Sequence, residues 1–281
     1  MKLQNFIKEL FKVRIRLLAL VSKERAGNTT FRIFCTPLGK AGYSLTPVLR
    51  SAEQLAHTFQ GQQLKGYRWN NGAGRKLLIA HGFRSHTQRF EHLIPLLVEK
   101  GYEVVAFDAP AHGLSSGRQI NAVDYTRLIS ELTVQYGPFD AYIGHSFGGL
   151  AIALATAELP ENASVKIVLF APAADTAGLA TVFLKEMQVT DPGVRQHFYN
   201  NVVRISGRGL DWFTIRRCLP ALKSAVLWIH DTQDPVTPVS EALEIQRLAP
   251  SNIRFIFTEG LGHSRVYRNE SVLKEVAGFL S

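Results

Sequence analysis

Cysteine is nearly missing from this chain: Cys35 and Cys218 are the only two in 281 residues. Two thiols that far apart supply neither the disulfide framework of a small secreted domain nor a cysteine-based metal site, so a reducing compartment, the cytoplasm, is expected. Long apolar runs are missing as well. In the N-terminal stretch Lys8, Lys12, Arg14 and Arg16 break every apolar run, so that stretch does not span a bilayer unaided. It also has no continuous apolar segment followed by an A-x-A site and does not read as a signal peptide. No internal repeat, low-complexity run or long linker is visible. The formal net charge is +9, but the basic residues are scattered and no zinc-finger or aromatic-rich RNA-binding motif accompanies them, which argues against nucleic acid as a partner. Neither a metal nor an organic cofactor is expected.

What is present is an ordinary globular composition, 46% hydrophobic and 20% charged, able to bury a sizeable core. Leu3, Phe6, Ile7, Leu10, Val13, Leu17, Leu18 and Val21 recur at three- and four-residue steps and predict an amphipathic helix. Such a helix either packs on the body of the protein or lies as a basic helix on a membrane surface, which leaves a peripheral membrane contact through residues 1–25 open. Residues 26–60 are poorly periodic, and 1–60 are expected to be a helix and decoration packed on the core. From about residue 62, short apolar segments alternate with helical periodicities: QLKGYRW, RKLLIAHGF, YEVVAFDAP, FDAYIGHS, VKIVLFAPA, AVLWIHDTQD and NIRFIFTEG read as strands. That alternation predicts an α/β fold, a mostly parallel sheet with helices on both faces. Residues 61–174 and 223–281 form this core. Residues 175–222 are far longer than a simple crossover and predict a helical cap insertion over the carboxyl ends of the strands.

One short stretch carries chemistry. In YIGHSFGGLA an apolar strand runs through Gly144-His145-Ser146-Phe147-Gly148 straight into a helix. The pattern G-x-S-x-G between strand and helix is a sharp turn that lifts a serine hydroxyl out of the fold. A serine hydroxyl is a poor nucleophile at neutral pH and needs a base, a group to orient that base, and N–H donors for the oxyanion. Downstream, Asp234 follows the strand in IHDTQDPVTP and His263 follows the last strand in TEGLGHSRV. Asp231 and Asp175 compete with Asp234 for the acidic role.

Five segments in order, IAHGF (79–83), FDAPAHGLS (107–115), GHSFGG, IHDTQDPVTP and GLGHS, resemble the motifs of the α/β-hydrolase superfamily, serine esterase- and lipase-like, over residues 62–281. Ala111 departs from a common glycine of that pattern. The resemblance implies Ser146 as nucleophile, His263 as base, Asp234 as orienting acid, and the backbone N–H groups of Phe83 and Phe147 as the oxyanion hole. His81, His112 and His145 would be scaffold positions. The implied activity is cleavage of a small-molecule carboxylic ester or thioester through an acyl-enzyme, with Arg84 and the cap aromatics Phe183 and Trp212 as candidate substrate contacts. A catalytically silent member that binds a ligand or partner, and a membrane-associated lipase, are the alternatives.

Overall fold

The computed structural model of the chain describes residues 2–37 and 43–281. Its centre is an eight-stranded sheet: β1 (Glu53–Phe59), β2 (Gln62–Trp69), β3 (Arg75–Ala80), β4 (Tyr102–Phe107), β5 (Ala141–His145), β6 (Lys166–Phe170), β7 (Ala225–Asp231) and β8 (Ile253–Thr258). The strands are ordered β1-β2-β4-β3-β5-β6-β7-β8. β1 and β2 pair antiparallel at one edge, β2 meets β4 antiparallel, and the pairs from β4 through β8 are parallel.

The parallel strands are apolar at nearly every position because both faces are covered. Successive side chains feed two different cores, as the two-residue period of a strand requires. Leu78, Tyr142, Leu169 and Trp228 point to one core, which also holds buried side chains of α4 (Ala122–Tyr136), α5 (Phe147–Ala157) and α8 (Val239–Arg247), numbered after α1 (Lys2–Val21), α2 (Lys23–Phe34) and α3 (Ile94–Glu99). Leu77, Ile79, Ile143 and Leu227 point to the other core, against α3 and the last helix, α9 (Glu270–Leu280). Between β3 and β4 a single 3₁₀ turn over Thr87–Phe90 precedes α3.

The region 175–222 is helical, with α6 (Thr176–Glu186) and α7 (Pro192–Ser206) as its main elements. Asp175 caps α6 by accepting from Ala177 N (2.9 Å) and Gly178 N (3.0 Å), and Asp191 caps α7 by accepting from Val194 N (3.1 Å).

The N-terminal 60 residues differ from expectation in two ways. Residues 53–59 are a strand of the sheet, the edge strand β1. The helices α1 and α2 join α6 and α7 in one helical layer. At Gly27 the backbones of α2 and α7 nearly touch: a β-carbon there would lie 2.7 Å from the Val194 carbonyl oxygen and 2.5 Å from His197 Cβ. Below this crossing, Phe31 and Phe34 of α2 pack on the buried Phe198 of α7 at centroid distances of 5.7 and 5.5 Å, and Phe34 on Phe183 of α6 at 5.0 Å. Ion pairs Lys8–Glu186 (2.9 Å) and Lys23–Asp191 (2.5 Å) tie the rim. The aromatic cluster, rather than these exposed pairs, holds the layer together, since surface ion pairs contribute at most about 1 kcal/mol each.

Truncation of the cluster's centre, Phe198→Ala, should therefore lower unfolding stability by about 3–5 kcal/mol, read as a shift of the urea midpoint. A loss below about 1 kcal/mol would mean that the N-terminal helices are not anchored through this ring.

Candidate active site

Ser146 stands at the junction of β5 and α5 with φ 53° and ψ −119°, a conformation L-residues rarely adopt. Backbone strain of this kind costs about 1–3 kcal/mol and persists only where the surroundings impose it. They do so here. Ser146 N donates to Phe170 O of β6 (3.0 Å), and Ser146 O accepts from Ala173 N (3.0 Å) and Leu150 N (3.2 Å). The turn is closed so tightly that a β-carbon at Gly148 would lie 2.4 Å from the Ala80 carbonyl oxygen. Glycine at 148 is thus a packing requirement of the serine's position.

Asp234 and His263 come from the loops after β7 and β8, and the structure brings them together: His263 Nδ1 donates to Asp234 Oδ2 at 2.7 Å. The Asp234 carboxylate is fully buried. Burial alone would push its pKa up, but the His263 hydrogen bond and charge, with the N–H groups of Val236 (2.7 Å) and Thr237 (3.0 Å), hold it below the usual value. The Thr237 hydroxyl donates to Asp234 Oδ2 as well, at 2.9 Å. This contact was not foreseen, although Asp followed three residues later by Thr is the sequence of a side-chain-capped turn. With Nδ1–H committed to Asp234, His263 presents a lone pair at Nε2. No hydrogen bond joins Ser146 Oγ to His263 among the described residues.

The competing acids are occupied elsewhere. Asp231 accepts from Gln233 N (3.0 Å), Leu261 N (2.9 Å) and the Thr258 hydroxyl (2.8 Å), tying the acid loop to the histidine loop. Asp175 is the cap of α6, and beside it Glu241 of α8 is pushed up to about 7, by burial first and by the Asp175 charge second.

The other histidines hold loops. His81 Nε2 accepts from Ala109 N, and His112 Nε2 accepts from Arg84 N, both at 2.9 Å. Burial lowers these two to about 4 and about 3, so both stay neutral. His145 donates from Nε2 to the His263 carbonyl oxygen (2.9 Å), and its ring packs against that of His263 at 4.6 Å. Cys35 is no rival nucleophile, because burial pushes its thiol up to about 12. Among the described residues no group of three or more His, Cys, Asp or Glu is placed to hold a metal ion.

Ser146 lies in the wall of a cavity of about 630 Å³ together with Phe83, Arg84, Phe147 and Thr237. The rings of Phe83 and Phe147 pack edge to face at 5.8 Å, and neither backbone N–H donates to another protein group among the described residues. Phe183 and Phe213 line the cavity from the cap side, and Ile7, Phe11, Phe31 and Phe34 from α1 and α2. The N-terminal lining was not foreseen from sequence. Trp212 does not line the cavity: its ring is sandwiched between the guanidinium groups of Arg208 (4.3 Å) and Arg217 (3.8 Å), and its neighbour Phe213 takes the inward place. Arg84 lines the cavity but is exposed and in the left-handed region, φ 59°.

Residues 73–200 match the protein family described as serine aminopeptidase, S33. Over 153 residues the chain is 29% identical to the serine hydrolase-like protein of Danio rerio, covering 52% of this chain but 44% of that protein. It is 25% identical to putative esterase/lipase 2 of Mycoplasma pneumoniae over 68% of this chain and 82% of that one. Among solved structures, an esterase of Pyrococcus furiosus superposes with a TM-score of 0.64 at 20% identity, covering 88% of this chain and 95% of that chain. The monoacylglycerol lipase of Paleococcus ferrophilus superposes with a TM-score of 0.60 at 20% identity, covering 77% and 98%. At these identities the two superpositions establish the fold.

Glu241 gives a pH signature. Its folded pKa, about 7, lies above the ordinary 4.5, so the folded state binds the extra proton between those values and stability falls as pH rises from 4.5 to 7. Glu241→Gln should thus match the wild type in urea stability at pH 4.5 and exceed it at pH 8. Equal stability at both pH values would place Glu241 in a solvated environment.

Proposed function

We propose that this chain, whose fold and motif order are those of the α/β-hydrolase superfamily, is a serine hydrolase acting on a carboxylic ester or thioester with an apolar acyl or aryl group. The observation that carries this reading is the 2.7 Å bond from His263 Nδ1 to the buried Asp234, together with Ser146 on its strained turn in the wall of an apolar cavity. Relatives named serine hydrolase-like protein and putative esterase/lipase 2 support it.

In the proposed reaction His263 Nε2 takes the Ser146 hydroxyl proton as Oγ attacks the substrate carbonyl carbon. Asp234 fixes the tautomer that makes Nε2 the acceptor and stabilises the imidazolium that forms. The free N–H groups of Phe83 and Phe147, the latter at the positive end of α5, receive the carbonyl oxygen as it becomes an oxyanion. Collapse of the tetrahedral intermediate passes the proton from His263 to the leaving alkoxide or thiolate and leaves the acyl group on Ser146. Water, deprotonated by His263, then releases the acid. The hydrogen bond between serine and base commonly tightens only once substrate closes the site.

The lining narrows the substrate. Phe31, Phe34, Phe83, Phe147, Phe183 and Phe213 bury an acyl or aryl group at about 25 cal/mol per Å² removed from water. Among the described residues, the one acidic residue of the lining, Glu186, is already paired with Lys8 at 2.9 Å, which disfavours a substrate that presents a free amine.

Two kinetic comparisons test the proposal. Asp234→Asn should lower p-nitrophenyl ester hydrolysis by about 10²–10⁴-fold with the fold intact. Asp231→Asn should instead cost about 1–3 kcal/mol of stability and leave the turnover of the folded fraction within about tenfold. The reverse ranking would move the orienting acid to Asp231. In a p-nitrophenyl ester chain-length series, Phe183→Ala should shift the preferred length, whereas Trp212→Ala should not. Faster cleavage of an aminoacyl p-nitroanilide than of any acyl ester would overturn the ester assignment.

A further inference from the structure

One face of α1 is apolar and uncovered. Phe6, Leu10, Val13, Leu17 and Leu20 recur every three to four residues, with Val21 beside Leu20, and all six are exposed, from 49% at Val13 to 84% at Leu20. At 3.6 residues per turn and 1.5 Å per residue, these six form one stripe about 22 Å long. The opposite face is fully used: Ile15 is buried in the core, and Ile7 and Phe11 line the cavity that holds Ser146. A single helix, about 10 Å across, therefore separates the cavity from the exposed stripe.

The charges beside the stripe are mostly basic. Arg14 and Arg16 flank it on either edge, both exposed. Glu9 is the only acidic residue in α1, and it is bound to Lys12 at 2.7 Å. An apolar stripe edged by arginines on a chain of net charge +9 is complementary to an anionic lipid surface, in which the rings and aliphatic side chains enter the acyl boundary and the guanidinium groups meet phosphates. No helix of the described residues is long and apolar enough to cross a membrane, so the contact is peripheral.

We propose that α1 docks the protein on an anionic phospholipid surface through its exposed Phe6–Val21 stripe, and that the cavity beneath it draws its acyl substrate from that surface. The supply of substrate rests on the hydrolase reading above, whereas docking does not. The stripe and the cavity share one helix, so docking brings the cavity within a helix diameter of the lipid. The same geometry explains why the cap is built partly from the N-terminal helices: the element that closes the apolar cavity is the element that meets the lipid.

The test is flotation with phosphatidylcholine vesicles containing phosphatidylglycerol, against phosphatidylcholine alone, for the full chain and for a Leu10→Asp/Leu17→Asp variant. Both leucines are exposed and lie outside the cavity lining, so the variant should fold and hydrolyse a short water-soluble ester at the wild-type rate. The wild type should float with the anionic vesicles, less so at high salt, and the variant's bound fraction should fall by at least about tenfold. Arg14→Glu should weaken flotation on anionic vesicles only. Absence of wild-type flotation, or equal flotation of the double variant, overturns the proposal. So does a wild-type dimer in sedimentation velocity that the double variant breaks without any vesicle binding, since a second copy would then cover the stripe. Flotation is read without turnover, so a protein that floats but hydrolyses no ester retains its docking surface and loses only the hydrolase reading.

Discussion

The site depends on one backbone conformation. Ser146 sits at φ 53°, held between β6, to which it donates, and α5, whose first turn it begins. The serine's place in the cavity wall follows from keeping that turn tight. The Ala80 carbonyl approaches position 148 more closely than any side chain would permit, which brings the loop after β3 against the start of α5. That approach puts Phe83 and Phe147, and with them two uncommitted N–H groups, beside the serine. The parallel sheet then delivers the acid loop after β7 and the histidine loop after β8 to the same edge, because parallel strands present their carboxyl ends together.

A second constraint is the neutrality of the histidine framework. His81, His112 and His145 are buried, and burial lowers each to about 3 or 4, so they serve as neutral donors and acceptors that fix loops. Were they to carry charge near His263, each would repel the imidazolium that the proposed reaction forms. The anionic partner, Asp234, is held ionised by N–H groups and by His263 against the pull of burial. The site thus sets the buried Asp234 carboxylate behind the partly exposed His263.

Much of this was legible in the sequence. Strands buried on both faces read as apolar runs, so the α/β architecture could be read from local pattern, whereas the roles of Ser146, Asp234 and His263 were implied only by the family resemblance of the motifs at the strand ends. The resemblance to the α/β-hydrolase superfamily and the expected sheet are borne out by the comparisons. What escaped had no local signature. β1 is an edge strand with four exposed residues in EQLAHTF, and its polar alternation hid it. The union of α2 with α7 rests on Gly27 meeting Val194 and Phe31 meeting Phe198, partners well over a hundred residues apart, which no local periodicity records. Trp212 and Phe213 are adjacent, and only the fold decides which of them faces the cavity.

The most direct measurement of the central claim is mass-spectrometric mapping of the adduct formed with a fluorophosphonate probe, whose phosphorus is attacked readily by an activated serine hydroxyl. A single adduct on the peptide containing Ser146, abolished in Ser146→Ala, is the expected result. An adduct on any other residue, or labelling of Ser146→Ala at the wild-type rate, would contradict it.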